Sequence, residues 1–255
     1  MNFIPSAPMI IVGMHRSGTT LLAEGLARGG ISMGNDPTAY AESNFFQRCN
    51  VKLLHNAHAS WDRPAVTDAT PSEYSTRRLL TEYAGVAKHP TAWWPLLFDK
   101  RWGWKDPRNT FTLGSWLHLF PKLSAVHIYR NGLDVARSLY ARNAMLQPGS
   151  KWHSPFLMNL EACFDLWERY VLQAMSWKKT LGSRFTAIRY EDLVAMKPER
   201  IEKLESFTGK GLKRAFAAIV DNGRGVNVVR PEQADALKAH ARTNQTLFRL
   251  GYATE

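Results

Sequence analysis

A polar, glycine-containing loop between an apolar run and a helical pattern places the tightest constraint on the fold. Residues 8–13 are apolar and rich in β-branched side chains, which predicts a buried strand that ends at a glycine. Apolar residues then recur at helical spacing over 19–27, and Gly29-Gly30 ends this pattern. Residues 13–20 are therefore typical of a phosphate-binding loop, in which backbone N–H groups and a helix N-terminus surround an anion.

The chemistry of this loop argues against triphosphate transfer. A nucleoside triphosphatase places a lysine directly after the second glycine, but this chain has Thr19 there. The loop instead offers the cation of Arg16, with the hydroxyl groups of Ser17, Thr19 and Thr20 around Gly18. Such a loop binds a phosphate or sulfate without magnesium.

Strand and helix patterns alternate along the rest of the chain. Further strands are predicted at Leu97–Trp104, Ser124–Tyr129 and Phe185–Tyr190. Helices are predicted over 42–58, 72–87, 132–143, 156–181, 198–208 and 212–219, and from residue 231 onward. This alternation predicts an α/β fold of three layers, similar to P-loop NTPases, with a central mostly parallel sheet and helices on both faces. The length favours a single domain over residues 1–255.

Charge and cysteine content narrow the classes of partner. The 33 basic and 22 acidic side chains give a formal charge of +11, which suits an anionic partner. The basic residues are spread along the chain without a nucleic-acid-binding motif, so we expect no nucleic acid. Cys49 and Cys163 form no metal-ligand spacing, and no metal is expected. No apolar run is long enough for a transmembrane segment, and we expect a cytoplasmic protein.

The segment Arg16-Ser17-Gly18-Thr19-Thr20 resembles the 5'-phosphosulfate-binding loop of the sulfotransferase family. The match is closest to the branch that includes tyrosylprotein and bacterial sulfotransferases. The resemblance implies that the donor is 3'-phosphoadenosine 5'-phosphosulfate (PAPS), that the product is 3'-phosphoadenosine 5'-phosphate (PAP), and that no metal takes part. Animal cytosolic members carry Lys in place of Arg16, and a guanidinium supplies a permanent, forked set of donors for the same anion.

Two further segments resemble donor-binding elements of this family. The strand ending at Arg130, with Ser138 eight residues later, resembles the 3'-phosphate element, in which the arginine supplies charge and the serine a hydroxyl group. The segment Ile188–Leu193 resembles the family's Tyr-Glu-Asp-Leu segment, whose tyrosine lies near the adenine. The ring of Tyr190 is therefore a candidate to pack against the adenine, and the alternative is that it only packs in the core.

Catalysis needs a base for the acceptor hydroxyl and cations for the charge that develops during transfer. Trp104-Lys105-Asp106-Pro107 resembles the family's Lys-Asp-Pro segment, which makes Lys105 and Arg16 the candidate cations. Many members use a glutamate after the first helix as base, and Glu42 holds that place. A glutamate at a helix N-terminus is the alternative reading. Other candidate bases are Asp36, His55 and His58.

The sequence constrains the identity of the acceptor less than any other part of the predicted function. Aromatic rings suit sugars, phenols and apolar ligands alike. Candidates for a cleft wall are Trp61, Trp93, Trp94, Trp102, Trp104 and Trp152, with core packing as the alternative. A carbohydrate or glycoconjugate hydroxyl is favoured, and His15 is treated as a bystander. A P-loop small-molecule kinase and a non-catalytic nucleotide-binding protein remain alternative functions.

Overall fold

The computed structural model describes residues 7–34, 41–67, 101–150, 152–220 and 244–252. The strands in these ranges are β1 (Met9–Val12), β2 (Gly103–Lys105), β3 (Ser124–Tyr129) and β4 (Phe185–Arg189). The helices are α1 (Thr19–Arg28), α2 (Asn44–Asn56), α3 (Asn109–Leu119), α4 (Gly132–Ala144), α5 (Leu160–Leu181), α6 (Tyr190–Val194), α7 (Pro198–Thr208), α8 (Lys213–Val220) and α9 (Gln245–Arg249). The helix predicted at 72–87 lies outside the described residues. None of the described helices has the length and apolar character needed to span a bilayer.

The four strands form one sheet in the order β2-β1-β3-β4, and every pairing is parallel. Ile11 is in register with Val126, and Ile128 with Ile188, so branched apolar side chains adjoin across the middle of the sheet. The prediction of a mostly parallel sheet is confirmed. Because all four strands point the same way, their carboxyl ends share one edge, where ligands bind in folds of this class.

Helices cover both faces of the sheet, which confirms the three-layer architecture. Ile10 and Val12 of β1 face a core that includes side chains of α2, α3 and α5. Ile11, between them in sequence, faces a second core with side chains of α1, α7 and α8. Alternate residues of one short strand thus enter opposite cores, which explains why residues 9–12 are apolar without a polar face.

Helix α3 and the start of helix α5 differ from the sequence pattern. Helix α3 escaped prediction because residues 109–116 are all buried, so the segment lacks the polar face that marks an amphipathic helix. Helix α5 begins at Leu160 rather than at Phe156, because the side chain of Asn159 accepts a hydrogen bond from Ala162 N–H at 2.7 Å and caps the helix.

The indole rings of Trp102 and Trp104 lie in the core and do not line the cavity beyond the carboxyl ends of the strands, so the hypothesis that they border an acceptor cleft there was wrong. Both residues are buried, and the ring of Trp104 stacks on that of Phe46 with 3.8 Å between centroids. Trp93 and Trp94 lie outside the described residues. A large aromatic ring is more favourably buried against a helix than exposed.

His127 is a buried titratable group in the middle of β3. Neither ring nitrogen has a hydrogen-bond partner among the described residues, and the nearest ring neighbours are Tyr129 and Phe185. Burial lowers the pKa of His127 from 6.5 to about 3, because the charged form is excluded from this apolar site. The folded protein therefore holds this imidazole neutral over a wide pH range.

We expect the free energy of unfolding of the His127→Leu variant to fall less with acidification than that of wild type. Between pH 6.5 and about 3 the unfolded chain protonates this imidazole and the folded chain does not, so stability is lost as pH falls through that window. Urea unfolding at about pH 7 and pH 5 should show wild type losing about 2 kcal/mol more than the variant. The exposed His55, changed to Leu, serves as control and should keep the wild-type loss. Equal losses in all three proteins would contradict this role of His127.

Candidate active site

A cavity of about 240 Å³ lies beyond the carboxyl ends of β1, β2 and β3. Its wall contains eight of the ten residues predicted from sequence to bind the donor or to take part in catalysis: Arg16, Gly18, Thr19, Thr20, Glu42, Lys105, Arg130 and Tyr190. Two others, Ser17 and Ser138, are buried, and Ser138 contacts Arg16. The fold thus brings together residues from separate parts of the chain, because all of them except Glu42 and Ser138 lie at or shortly after the carboxyl end of a strand.

The loop between β1 and α1 has the backbone shape of an anion site. Arg16 (φ 69°) and Gly18 (φ 90°) adopt left-handed conformations, and α1 begins directly after Gly18. The N–H of Gly13 donates to the side-chain oxygen of Thr110 at 3.0 Å, which fixes the loop against α3. The hydroxyl group of Ser17 is buried without a hydrogen-bond partner among the described residues. A bound anion would satisfy such a group.

Tyr190 lies between this loop and the end of β3. It is the first residue of α6 rather than the last of β4, which corrects the predicted strand boundary. A side-chain carbon at Gly18 would lie 2.3 Å from the Tyr190 ring, so only glycine permits this approach. The guanidinium of Arg130 stands 4.6 Å from the ring centre on the cavity wall. The aromatic ring thus connects the two proposed phosphate elements.

Arg16 and Ser138 also connect those elements directly. The Arg16 Nε–H donates to the Ser138 hydroxyl at 2.9 Å, which joins the loop to α4. Arg130 contacts Asp134 of α4 at 3.5 Å, and the Arg130 Nε–H is buried without a partner among the described residues. The side chain of Asn131 caps α4 by accepting from Leu133 N–H. Charge, hydroxyl groups and a helix N-terminus therefore converge here.

Glu42 and Lys105 form a buried ion pair at the cavity. The Lys105 ammonium lies 3.0 Å from Glu42 Oε1, and their side chains are 2% and 7% exposed. Burial lowers the pKa of Lys105, although the charge of Glu42 opposes this effect. Glu42 precedes the N-cap Ser43 of α2, so the predicted helix start at Glu42 was wrong. Its carboxylate lies at Lys105 and accepts a hydrogen bond from Gln47, so it does not act as a first-turn helix residue.

A buried polar network, which was not predicted from the sequence, contacts this pair. Arg108 binds Asp106 at 2.9 Å and lies 3.8 Å from Glu42. Although burial opposes it, the charges of Asp106 and Glu42 raise the pKa of Arg108, which holds the guanidinium charged. The Asn50 amide donates to Asp106 at 2.9 Å. Asp106 belongs to the Lys-Asp-Pro segment, whereas the only sequence signal for Asn50 and Arg108 is their polar character.

Asn50 is the centre of that network. It is fully buried, and its amide N–H₂ donates to Asp106 and to Asn109, the latter at 2.7 Å. Its carbonyl oxygen accepts from Thr112 at 2.7 Å and from the Trp116 indole at 2.8 Å. One amide therefore ties α2 to the loop after β2 and to α3. Every polar atom of the Asn50 side chain has a partner, as burial requires.

His15 also lines this cavity. Its ring is 5.2 Å from that of Trp61, and its Nε2 is buried without a hydrogen-bond partner among the described residues. Burial, followed by the charges of Arg108, Lys105, Arg142 and Arg16, holds the pKa of His15 well below its usual value. The imidazole is therefore neutral at physiological pH, and it lines the cavity.

The other candidate bases do not lie at the cavity beside Glu42. His55 and His58 are exposed and do not line the cavity, and Asp36 lies outside the described residues. The candidate cleft residues Trp61 and Trp152 do line it, with the Trp152 ring 5.6 Å from the Arg108 guanidinium. Within the described ranges, no group of three or more His, Cys, Asp or Glu side chains is arranged to hold a metal ion.

Comparison with known proteins gives one family. The Sulfotransferase family matches residues 8–213 of the chain. A sulfotransferase from Mycobacterium avium is similar in structure, with a TM-score of 0.57 and 13% identity over 98% of this chain and 78% of that one. The sulfotransferase domain of the Synechococcus PCC 7002 olefin synthase has a TM-score of 0.51 and 18% identity, covering 98% and 96%. The sulfotransferase domain of the curacin biosynthetic pathway gives 0.52 and 12%, covering 97% and 98%. No curated protein sequence matches this chain.

We expect Asn50→Ala to destabilise the protein by about 2–4 kcal/mol, because it leaves the buried indole N–H of Trp116 without its partner and removes one hydrogen bond each from Asp106, Asn109 and Thr112. Urea unfolding measures the loss. Asn56→Ala, at the exposed end of the same helix, is the control and should change stability by less than about 0.5 kcal/mol. If both variants unfold at the same urea concentration, Asn50 does not support the site.

Proposed function

This chain belongs to the sulfotransferase family, and we propose that it transfers a sulfuryl group from PAPS to a hydroxyl group of a carbohydrate or glycoconjugate, with release of PAP. The observation that supports this best is the pairing of Glu42 with Lys105 at 3.0 Å in a cavity that also includes the loop around Arg16. A proton acceptor, a cation and an anion-binding loop are the parts that such a transfer needs.

The donor is held at two places in this proposal. The backbone N–H groups of the loop and the N-terminus of α1 bind the 5'-phosphosulfate, assisted by Arg16, Ser17, Gly18, Thr19 and Thr20. Arg130 and Ser138 bind the 3'-phosphate, and the Tyr190 ring packs against the adenine. Support comes from the buried Ser17 hydroxyl and Arg130 Nε–H, which lack partners among the described residues and match the acceptor oxygens of phosphates. No metal is assigned a role.

The transfer is an in-line displacement at sulfur. The acceptor oxygen forms a bond to sulfur while the bond between sulfur and the bridging oxygen of the 5'-phosphate breaks. The electron pair of the broken bond stays with the phosphate of PAP, and the hydroxyl proton passes to the Glu42 carboxylate. Lys105, whose pKa is lowered by burial, is a stronger acid than a free lysine and donates a hydrogen bond to the charge that develops on the sulfuryl group. Arg16 is the second cation at this centre.

We expect PAP to bind at micromolar concentrations without magnesium, and more tightly than ATP. Arg130→Ala should weaken PAP binding roughly tenfold to a hundredfold, because it removes a charge-assisted contact to the 3'-phosphate. Calorimetric titration with PAP and ATP, with and without magnesium, measures this. Arg48→Ala changes an exposed arginine on α2 and should leave PAP binding unaltered. A magnesium-dependent preference for ATP would overturn the proposal in favour of a kinase.

Glu42→Gln tests the base. The amide accepts no proton, so transfer of label from ³⁵S-PAPS to the saccharide that wild type sulfates best should fall by about 10²–10⁴-fold. PAP affinity should change by less than about twofold, since Glu42 is not assigned to the donor. Glu202→Gln, on the exposed side of α7, should retain full activity. Near-normal turnover of Glu42→Gln would remove Glu42 from the role of base.

A further inference from the structure

We propose that Arg108 is a positioning residue for the transfer: it compensates the charge of the Glu42 carboxylate when the Lys105 ammonium turns toward the sulfuryl group. The inference rests on the proposed function, in which Glu42 is the base and Lys105 is a cation at the sulfuryl group. Its support comes from the distances between charged groups in one buried cluster.

Lys105 serves two anions in the proposed transfer. Its ammonium lies 3.0 Å from Glu42 Oε1, and it also has to donate a hydrogen bond to the sulfuryl oxygens. A shift of the ammonium toward the sulfuryl group weakens its attraction to the carboxylate. Because the Glu42 side chain is only 7% exposed, water replaces little of that attraction. A second cation close to the carboxylate offsets the loss.

Arg108 approaches the other oxygen of this carboxylate. Its Nη1 lies 3.8 Å from Glu42 Oε2, which is close enough for an ion pair and too long for a hydrogen bond. Glu42 Oε2 accepts a hydrogen bond from the Gln47 amide at 2.5 Å, which orients the carboxylate independently of Lys105. The Arg108 side chain is 2% exposed and lines the cavity. Its charge therefore acts on Glu42 with little screening by water.

Asp106 holds Arg108 in this position. Its Oδ1 accepts hydrogen bonds from the Arg108 Nη1 at 2.9 Å and from the Arg108 backbone N–H at 3.0 Å. Its Oδ2 accepts from the Asn50 amide at 2.9 Å. When Glu42 takes the proton of the acceptor hydroxyl and becomes neutral, Arg108 still has Asp106 as its counterion. The buried guanidinium thus keeps an opposite charge before and after the proton transfer.

The balance of charge in the cluster favours this role. Lys105 and Arg108 contribute two positive charges, and Glu42 and Asp106 contribute two negative ones. If Lys105 alone compensated Glu42, the sulfuryl group and the base would compete for one ammonium during the step that needs both. Arg108 removes this competition, because its guanidinium is fixed by Asp106 and is not assigned to the donor.

Infrared spectra report the protonation of Glu42 and need no acceptor. A protonated carboxyl group has a C=O band that a carboxylate lacks, and the Glu42 band is the one that disappears in Glu42→Gln. With PAPS bound, we expect this band to appear in Arg108→Gln at a pH about 1 unit or more above that for wild type, because loss of the cation makes the carboxylate easier to protonate. Without PAPS the shift should be smaller, since Lys105 then stays with Glu42.

Two further variants separate charge from other effects. Arg108→Lys should restore part of the wild-type behaviour, because it keeps the positive charge. Arg48→Gln removes an exposed charge from α2 and should leave the Glu42 band unchanged. The other titratable or charged side chains of the described cavity wall are the same in all these variants and do not contribute to the differences: His15, Arg16, Glu24, Arg130, Arg142 and Tyr190.

Asp106→Asn is an independent test, and it decides the matter if Arg108→Gln does not fold. Loss of this negative charge leaves Arg108 with Glu42 as its nearby counterion, so the Glu42 band should appear at a lower pH than in wild type. If the Asp106–Arg108 pair only held the fold together, its two single variants would not shift the band in opposite directions.

A shift in Arg108→Gln that is no larger with PAPS than without it would overturn the inference. So would the absence of a shift to lower pH in Asp106→Asn. Both results leave the proposed transfer from PAPS intact. Failure of wild type to bind PAPS would instead remove the proposed function itself, so the two failures are distinguishable.

Discussion

The buried ion pair between Glu42 and Lys105 is the interaction on which the rest of this site depends. Both side chains have left water almost completely, and a charge in that position is tolerated only when an opposite charge and further hydrogen bonds compensate it. Arg108 and Asp106 form a second buried pair beside the first. Four charges in one small volume require a rigid frame, and the frame consists of α2, the loop after β2, and α3.

The network around Asn50 supplies that frame. A single amide contacts Asp106, Asn109, Thr112 and Trp116, so the three segments that carry the ion pairs cannot move separately without breaking a buried hydrogen bond. The Thr110 side chain connects this frame to the loop between β1 and α1, because it accepts a hydrogen bond from the Gly13 N–H. Helix α3 therefore positions both the loop and the ion pairs, although none of its own residues lines the cavity among those described.

Close packing between Gly18 and Tyr190 positions the residues on the other side of the loop. The absence of a side chain at Gly18 lets the Tyr190 ring approach the backbone, and Arg130 stacks on that same ring. Together with the bond between Arg16 and Ser138, this packing holds α1, α4 and α6 around one space. The roles assigned to these residues in donor binding stay predictions, but their convergence is a property of the fold.

The sequence by itself determined the fold class and the position of the main elements. Apolar runs at β1 and β3, the helical pattern of α7 and the order of strands and helices follow from local periodicity, which depends on near neighbours in the chain. It also determined which polar residues follow the strands. Only the tertiary structure decided that Glu42 lies on Lys105, that α3 is helical while buried on all sides, and that Trp104 belongs to the core while Trp152 borders the cavity. These outcomes depend on contacts between residues far apart in sequence, such as Asn50 with Asp106, and the packing that makes those contacts leaves no periodic signal in the chain.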